Sequence, residues 1–162
     1  MSDLALARTL HVLGVVLWIG GVAFVTLVLL PALRALRTAK SGDAQPGVFE
    51  VLERRFAAQA RWTTQATGLS GLYMVWRLDL WSRFADPAYW WMDAMVLLYL
   101  VFTLLLFVVE PLAHRRLASH AARNPEAAQR RILWMHRVLL AASLATIAGA
   151  VAGSHGWLIG RG

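Results

Sequence analysis

The feature that most constrains this chain is an apolar run from about Leu4 to Leu30, closed by Pro31 and interrupted only by Arg8 and His11 near its start. Crossing a hydrocarbon core as a helix takes about 20 mostly apolar residues, and this run exceeds that. A secretory signal would be shorter, with a basic opening and a small-residue cleavage site. We therefore expect the run to persist as a membrane helix. Three further segments repeat the pattern, at about 56–78, 90–109 and 132–158. The second is the most polar, with Gln59, Arg61, Thr63, Thr64, Gln65, Thr67 and Ser70. Lipid exposure of so many polar groups is costly, so this helix should turn a polar face inward. The third ends at Glu110-Pro111. The fourth is rich in Ala, Gly and Ser, which let membrane helices approach closely. The expected fold class is all-α: one integral membrane four-helix bundle over 1–162, with both termini on the same, outer side.

Composition agrees. Of 162 residues 59% are hydrophobic and 15% charged, against about 45–50% and about 25% in soluble domains. The net charge of +7 could point to nucleic acid, but no nucleic-acid motif accompanies it, and basic loops have a membrane role of their own. Arg34, Arg37, Lys40, Arg54 and Arg55 lie in the first loop; Arg115, Arg116, Arg123, Arg130 and Arg131 lie in the third. The opposite side carries only Arg8, Arg77, Arg83 and Arg161. Excess Lys and Arg marks the cytoplasmic face, so loops one and three are expected in the cytoplasm of a bacterial-type inner membrane. Tryptophans 62, 76, 81, 90, 91, 134 and 157 fall near span ends, as an interfacial belt would. The chain has no cysteine, which excludes disulfides, iron–sulfur clusters and thiolate metal sites. It has no G-x-S-x-G, P-loop or H-E-x-x-H.

The remaining chemistry lies in five histidines, His11, His114, His120, His136 and His155. Ionisable groups inside a membrane point to function. Counting from the span ends puts His11 about two turns, and His155 about one turn, below the outer surface. The two should share a depth on the first and last helices, which a four-helix bundle can bring together. On the other side, His136 pairs with His114 at the cytoplasmic end of the third helix. His136 and His155 are 19 residues apart, about 28 Å at 1.5 Å per residue, too far to share an iron. His120 sits in a basic loop and reads as solvated.

Facing imidazoles in a bundle core can ligate b-type haem. His11 with His155 would hold an outer haem and His136 with His114 an inner one, so one or two haems are expected. Gly14, Gly20, Gly21, Gly68, Gly71, Gly149, Ala152 and Gly153 would admit the macrocycle; Arg8 and Arg77 would meet propionates outside, and Arg61 and Arg137 propionates or a quinone head inside. The bland readings are interhelical hydrogen bonding for the histidines and packing for the glycines. Copper is the competing cofactor, because Cu(I) favours thioether and imidazole ligands and Met74, Met92 and Met95 lie near the outer ends of their helices.

The first helix, LHVLGVVLWIGGVAFVTLVLLP, has a histidine seven residues before a tryptophan, then Gly20-Gly21. It resembles the opening of CopD-type copper-resistance domains and of HemJ-like protoporphyrinogen oxidases. The segment LERRFAAQARWTTQATGLSGL resembles their second helix. The resemblance implies a small four-helix membrane protein related to b-type haem or copper, with His11 functional. HemJ-like proteins also carry a lysine in the third helix and an Arg…Asn-Glu pattern opening the fourth. This chain has no lysine there and opens RRILWMHR instead, which argues against porphyrinogen oxidation. The expected function is a cytochrome b-like membrane haem protein, an electron-transfer component or oxidoreductase, in contact with lipid, a quinone or redox partner, and a second copy of the chain. Copper handling and a cofactor-free structural subunit are the alternatives.

Overall fold

The structure is a computed structural model, and it describes residues 3–38, 46–112 and 125–157. Among these every regular element is helical. Helix α1 spans Asp3–Phe24, α2 Leu30–Thr38, α3 Pro46–Arg77, α4 Trp90–Leu104 and α5 Pro125–Ser154. Two short 3₁₀ turns, Trp81–Ala85 and Pro87–Tyr89, connect α3 to α4.

Proline does not stop the first and third apolar runs. A π turn, Val25–Leu29, joins α1 to α2, and a second, Leu105–Val109, carries α4 onward past Pro111. The two are built alike. Pro31 and Pro111 each stand two residues after the π turn. Between them, the Leu30 N–H bonds the Val25 carbonyl and the Glu110 N–H bonds the Leu105 carbonyl. Proline lacks an N–H and its ring clashes with the carbonyl four residues back. Widening the preceding turn to an i→i+5 bond lets the helix continue. The expected ends at Pro31 and Glu110-Pro111 are therefore corrected: helix persists to Thr38 in one case and through Leu112 in the other.

Three stretches, Asp3–Ala32, Pro87–Leu112 and Arg130–Ser154, are long and apolar enough to cross a membrane. Their outward faces carry large apolar side chains, among them Val16, Leu27, Leu97, Leu104, Leu144 and Val151. Such a surface belongs against lipid rather than water. Helix α3 is long, 32 residues, but too polar to join those three by hydropathy. It turns a polar face, with Thr64, Thr67 and Ser70 buried, toward its neighbours and leaves Trp62, Leu69, Leu72 and Trp76 exposed. Gln59, Thr63 and Thr67 border α1, while Arg61, Gln65 and Gly68 border α4.

Consecutive long helices run antiparallel. Helix α1 lies along α3, α3 along α4, α4 along α5, and α5 returns to α1. Trp18, Ile19, Phe102 and Leu140 form the buried centre, with Trp18 edge-on to Phe102 at 4.9 Å between ring centroids. The start of α1 meets the end of α3, where the Tyr73 hydroxyl donates to Asp3 at 2.7 Å. The start of α4 meets the end of α5, where Trp91 covers Gly153. Asp3 and Ser154 thus lie at one end of the bundle.

Trp62 and Trp134 are exposed toward one end and Trp76, Trp81 and Trp157 toward the other. Trp90 and Trp91 depart from the expected belt. Trp91 is buried, and both rings pack over glycines of α5.

Candidate ligand site at His11

The site grows from close backbone approach between α1 and α3. Gly14 has no side chain, and a Cβ there would collide with the Thr67 hydroxyl. One turn along, the His11 ring lies across Gly71, where a Cβ would stand 3.1 Å from Cε1 and 3.3 Å from Nδ1. With that space open, His11 Nδ1 reaches the Thr67 carbonyl and donates to it at 2.9 Å. The Ser70 hydroxyl stands 3.4 Å from the same nitrogen and itself donates to the Ala66 carbonyl at 2.6 Å. A proton held on Nδ1 fixes the tautomer and leaves Nε2 as the ring's lone-pair donor. Metal-ligating histidines are commonly oriented by such a bond.

The other two described histidines use the same device within their own helix. His136 Nδ1 donates to Ile132 and His155 Nδ1 to Val151, each at 2.9 Å. The structure does not bring either to His11. Contacts of Gly71 with His11, Gly68 with Tyr99, Gln65 with Thr103, and Trp90 and Trp91 with Gly149 and Gly153 fix the helix register. Through these, His11 lies level with about Ala145 of α5. His155 is ten residues further along (155 − 145), on the order of 15 Å at the helical rise. His136 is nine residues the other way (145 − 136), on the order of 13 Å. His155 is also exposed and sits just beyond the last residue of α5. The shared depth expected for His11 and His155 is thus not what the fold builds. His114 and His120 lie outside the described residues.

The glycines expected to admit a macrocycle are mostly filled by the chain's own side chains. Tyr99 occupies the space at Gly68, Trp90 that at Gly149, Trp91 that at Gly153 and Thr67 that at Gly14. Gly20 faces open space, and Gly71 faces His11. The expected propionate partners divide similarly. Arg61 is engaged with α4: its Nη2 meets Glu110 at 3.0 Å and its Nε donates to the Leu106 carbonyl at 3.3 Å. Arg77 reaches Asp3 at 3.4 Å. Arg8 and Arg137 are exposed.

Tested against haem, these residues fit iron from one side. His11 has the right tautomer in an apolar setting, and a lone proximal histidine is an established form of haem ligation. A bis-histidine site from His11 and His155 does not fit this arrangement. The sequence names His11, Thr67, Ser70 and Gly71 separately, but not the hydrogen bond from His11 to the Thr67 carbonyl that joins them. The visible signal was T-G-x-S-G at 67–71, a small-residue patch at helical spacing on a polar helix. No protein-family model, curated protein or solved structure matches this chain.

Proposed function

We propose that the chain is a four-span membrane haem protein in which His11 Nε2 is the iron ligand, serving electron transfer or oxidoreduction at the inner membrane. The observation that carries this reading is the His11 imidazole itself: inside an apolar bundle, fixed through Nδ1 to the Thr67 carbonyl and laid against Gly71. A bound haem would supply one-electron chemistry. The protein would supply the ligand, its orientation and a low-dielectric surround. The resemblance of the first helix to CopD-type and HemJ-like proteins supports the same residue. In this reading α3 is the fourth span, its polar side chains sheltered by α1 and α4. Loops one and three face the cytoplasm by their Arg and Lys excess, and both termini face outward. A quinone or protein redox partner and a second copy of the chain belong to the same proposal.

The test is the visible spectrum of detergent-purified protein from haem-replete cells, oxidised and reduced, with haem quantified per chain. A Soret band that His11→Ala removes and His155→Ala leaves intact is the expected result. Colourless wild-type protein rejects the proposal.

Copper handling is the second reading, favoured by the methionines. Met74 is three residues beyond Gly71, so it follows His11 along the same seam. Met95 lies close to the level of Met74 on α4 in the register above. Thioether and imidazole together suit Cu(I). Titration of Cu(I) against a competing chelator distinguishes this reading, with affinity lost in Met74→Ala.

A further inference from the structure

The centre of the bundle holds two polar atoms that the mechanism above does not use. Trp18 Nε1 and Thr64 Oγ1 are buried and have no hydrogen-bond partner among the described residues. Trp18 is 6% exposed and Thr64 0%. Thr64 is the exception among buried hydroxyls. Thr26, Thr67, Ser70, Ser143 and Thr146 each donate to the carbonyl four residues earlier.

The two atoms belong to one layer. Gly71 meets His11, Gly14 meets Thr67 and Leu17 meets Gln59 across the α1–α3 seam, and that register sets Thr64 opposite Leu17 and Trp18. Both side chains turn toward the bundle axis. Trp18 packs edge-on to Phe102 of α4 and within reach of Leu140 of α5, while Thr64 lies between the α1-facing Thr63 and Thr67 and the α4-facing Gln65. An indole N–H can only donate, whereas a hydroxyl donates and accepts. Buried polar groups are nearly always paired, and where the protein offers no partner an ordered water commonly does.

We propose that a single internal water sits in this layer, accepting from Trp18 Nε1–H and donating to Thr64 Oγ1, as a hydrated point on the bundle axis. A water fits better than a larger polar ligand, because aromatic and aliphatic side chains of α1, α4 and α5 close around the layer. It gives both atoms a partner at once: the indole N–H gains an acceptor, and the hydroxyl oxygen gains a donor. The point stands seven residues along α1 from His11, about 10 Å at the helical rise. It is therefore distinct from the ligand site and independent of what His11 binds.

The experiment is water-to-protein cross-relaxation on the tryptophan indole N–H signals of the ¹⁵N-labelled full chain in micelles. The Trp18 signal is identified by its contacts to the Phe102 ring, and independently by its loss in Trp18→Phe. The expected result is a water cross-peak at the Trp18 indole in the wild type, abolished in Thr64→Val and retained in Thr64→Ser. Absence of the cross-peak in the wild type overturns the proposal, as does a cross-peak that survives Thr64→Val unchanged. The wild-type measurement decides even where a variant does not fold.

Discussion

The two outer seams of the bundle are held together differently. Between α1 and α3 the backbones approach over Gly14 and Gly71, and polar atoms meet: His11 with the Thr67 carbonyl, Gln59 with the Leu17 carbonyl, Tyr73 with Asp3. Between α4 and α5 large rings drop onto glycines, Trp90 onto Gly149 and Trp91 onto Gly153. Small residues serve both seams, to opposite ends. In the first they bring hydrogen-bonding groups within reach of an imidazole; in the second they make sockets for indoles. A ligand site needs an available lone pair, and among the described residues the first seam offers one at His11 Nε2. The second is packing.

The largest effect that tests this contrast is on cofactor content. His11→Ala is expected to remove haem from the purified protein almost entirely, seen as loss of the Soret band per chain. His136→Ala and His155→Ala should retain most of it. If all three variants lose haem equally, the seams do not differ in function and the assignment of His11 fails.

Stability comes next. Gly153→Ala drives a methyl into the buried Trp91 ring, and overpacking of this kind costs about 1–3 kcal/mol. Gly14→Ala meets the Thr67 hydroxyl, a short side chain with other rotamers, so its cost should sit at the low end of that range. Gly20→Ala has nothing within 4 Å and should be neutral or stabilising by up to about 1 kcal/mol, the helix-propensity difference. Reversible unfolding in mixed detergent would rank the three. Gly153→Ala as mild as Gly20→Ala would show that Trp91 does not fill the socket in the membrane.

How much of this was legible beforehand follows from what each feature depends on. The apolar runs depend only on composition, so 4–30, 90–109 and 132–158 were readable, and the polar density of 56–78 marked a polar face of α3 as turned inward, where Thr64, Thr67 and Ser70 are buried. Chain continuity past Pro31 and Pro111 was not readable. A proline usually marks a helix end, and the π turns that accommodate it leave no sequence signature beyond ordinary apolar residues. The depth of the histidines failed for another reason. Counting from span ends assumes that every span reaches the same plane. Helix α5 in fact ends at Ser154, so His155 lies beyond the helix, while His11 sits eight residues past the start of α1. Each misjudged residue shifts depth by about 1.5 Å, and ten residues separate two levels that looked like one. The glycine partners were unreadable too, because the rings that fill Gly68, Gly149 and Gly153 lie at least 31 residues away in sequence (99 − 68).

A smaller effect is expected where the middle of α3 meets Glu110. The Arg61 and Glu110 side chains are 37% and 26% exposed. Ion pairs this open contribute about 0–1 kcal/mol. Glu110→Gln should lower stability within that range and make it less sensitive to salt, while haem content stays unchanged. A large loss of haem in this variant would instead place Arg61 at a propionate, as the sequence alone suggested.

The smallest effect tests how the helices end. Helices α3 and α5 close with the same hydrogen-bond pattern: Leu80 N–H to the Val75 carbonyl and Trp157 N–H to the Ala152 carbonyl, both 3.0 Å. That pattern needs a left-handed residue just before the donor. In α5 it is Gly156, with φ of 88°; in α3 it is Asp79, with φ of 49°. Aspartate tolerates this conformation but prefers others, whereas glycine adopts it readily. Asp79→Gly should therefore be neutral or stabilise by a few tenths of a kcal/mol, because the relieved strain is partly offset by the greater freedom of glycine in the unfolded chain. Gly156→Ala, the reverse change at the matching position, should destabilise. Opposite signs in one unfolding assay would establish the two ends as equivalent caps. A destabilising Asp79→Gly would mean that the carboxylate, and not the backbone, is what closes α3.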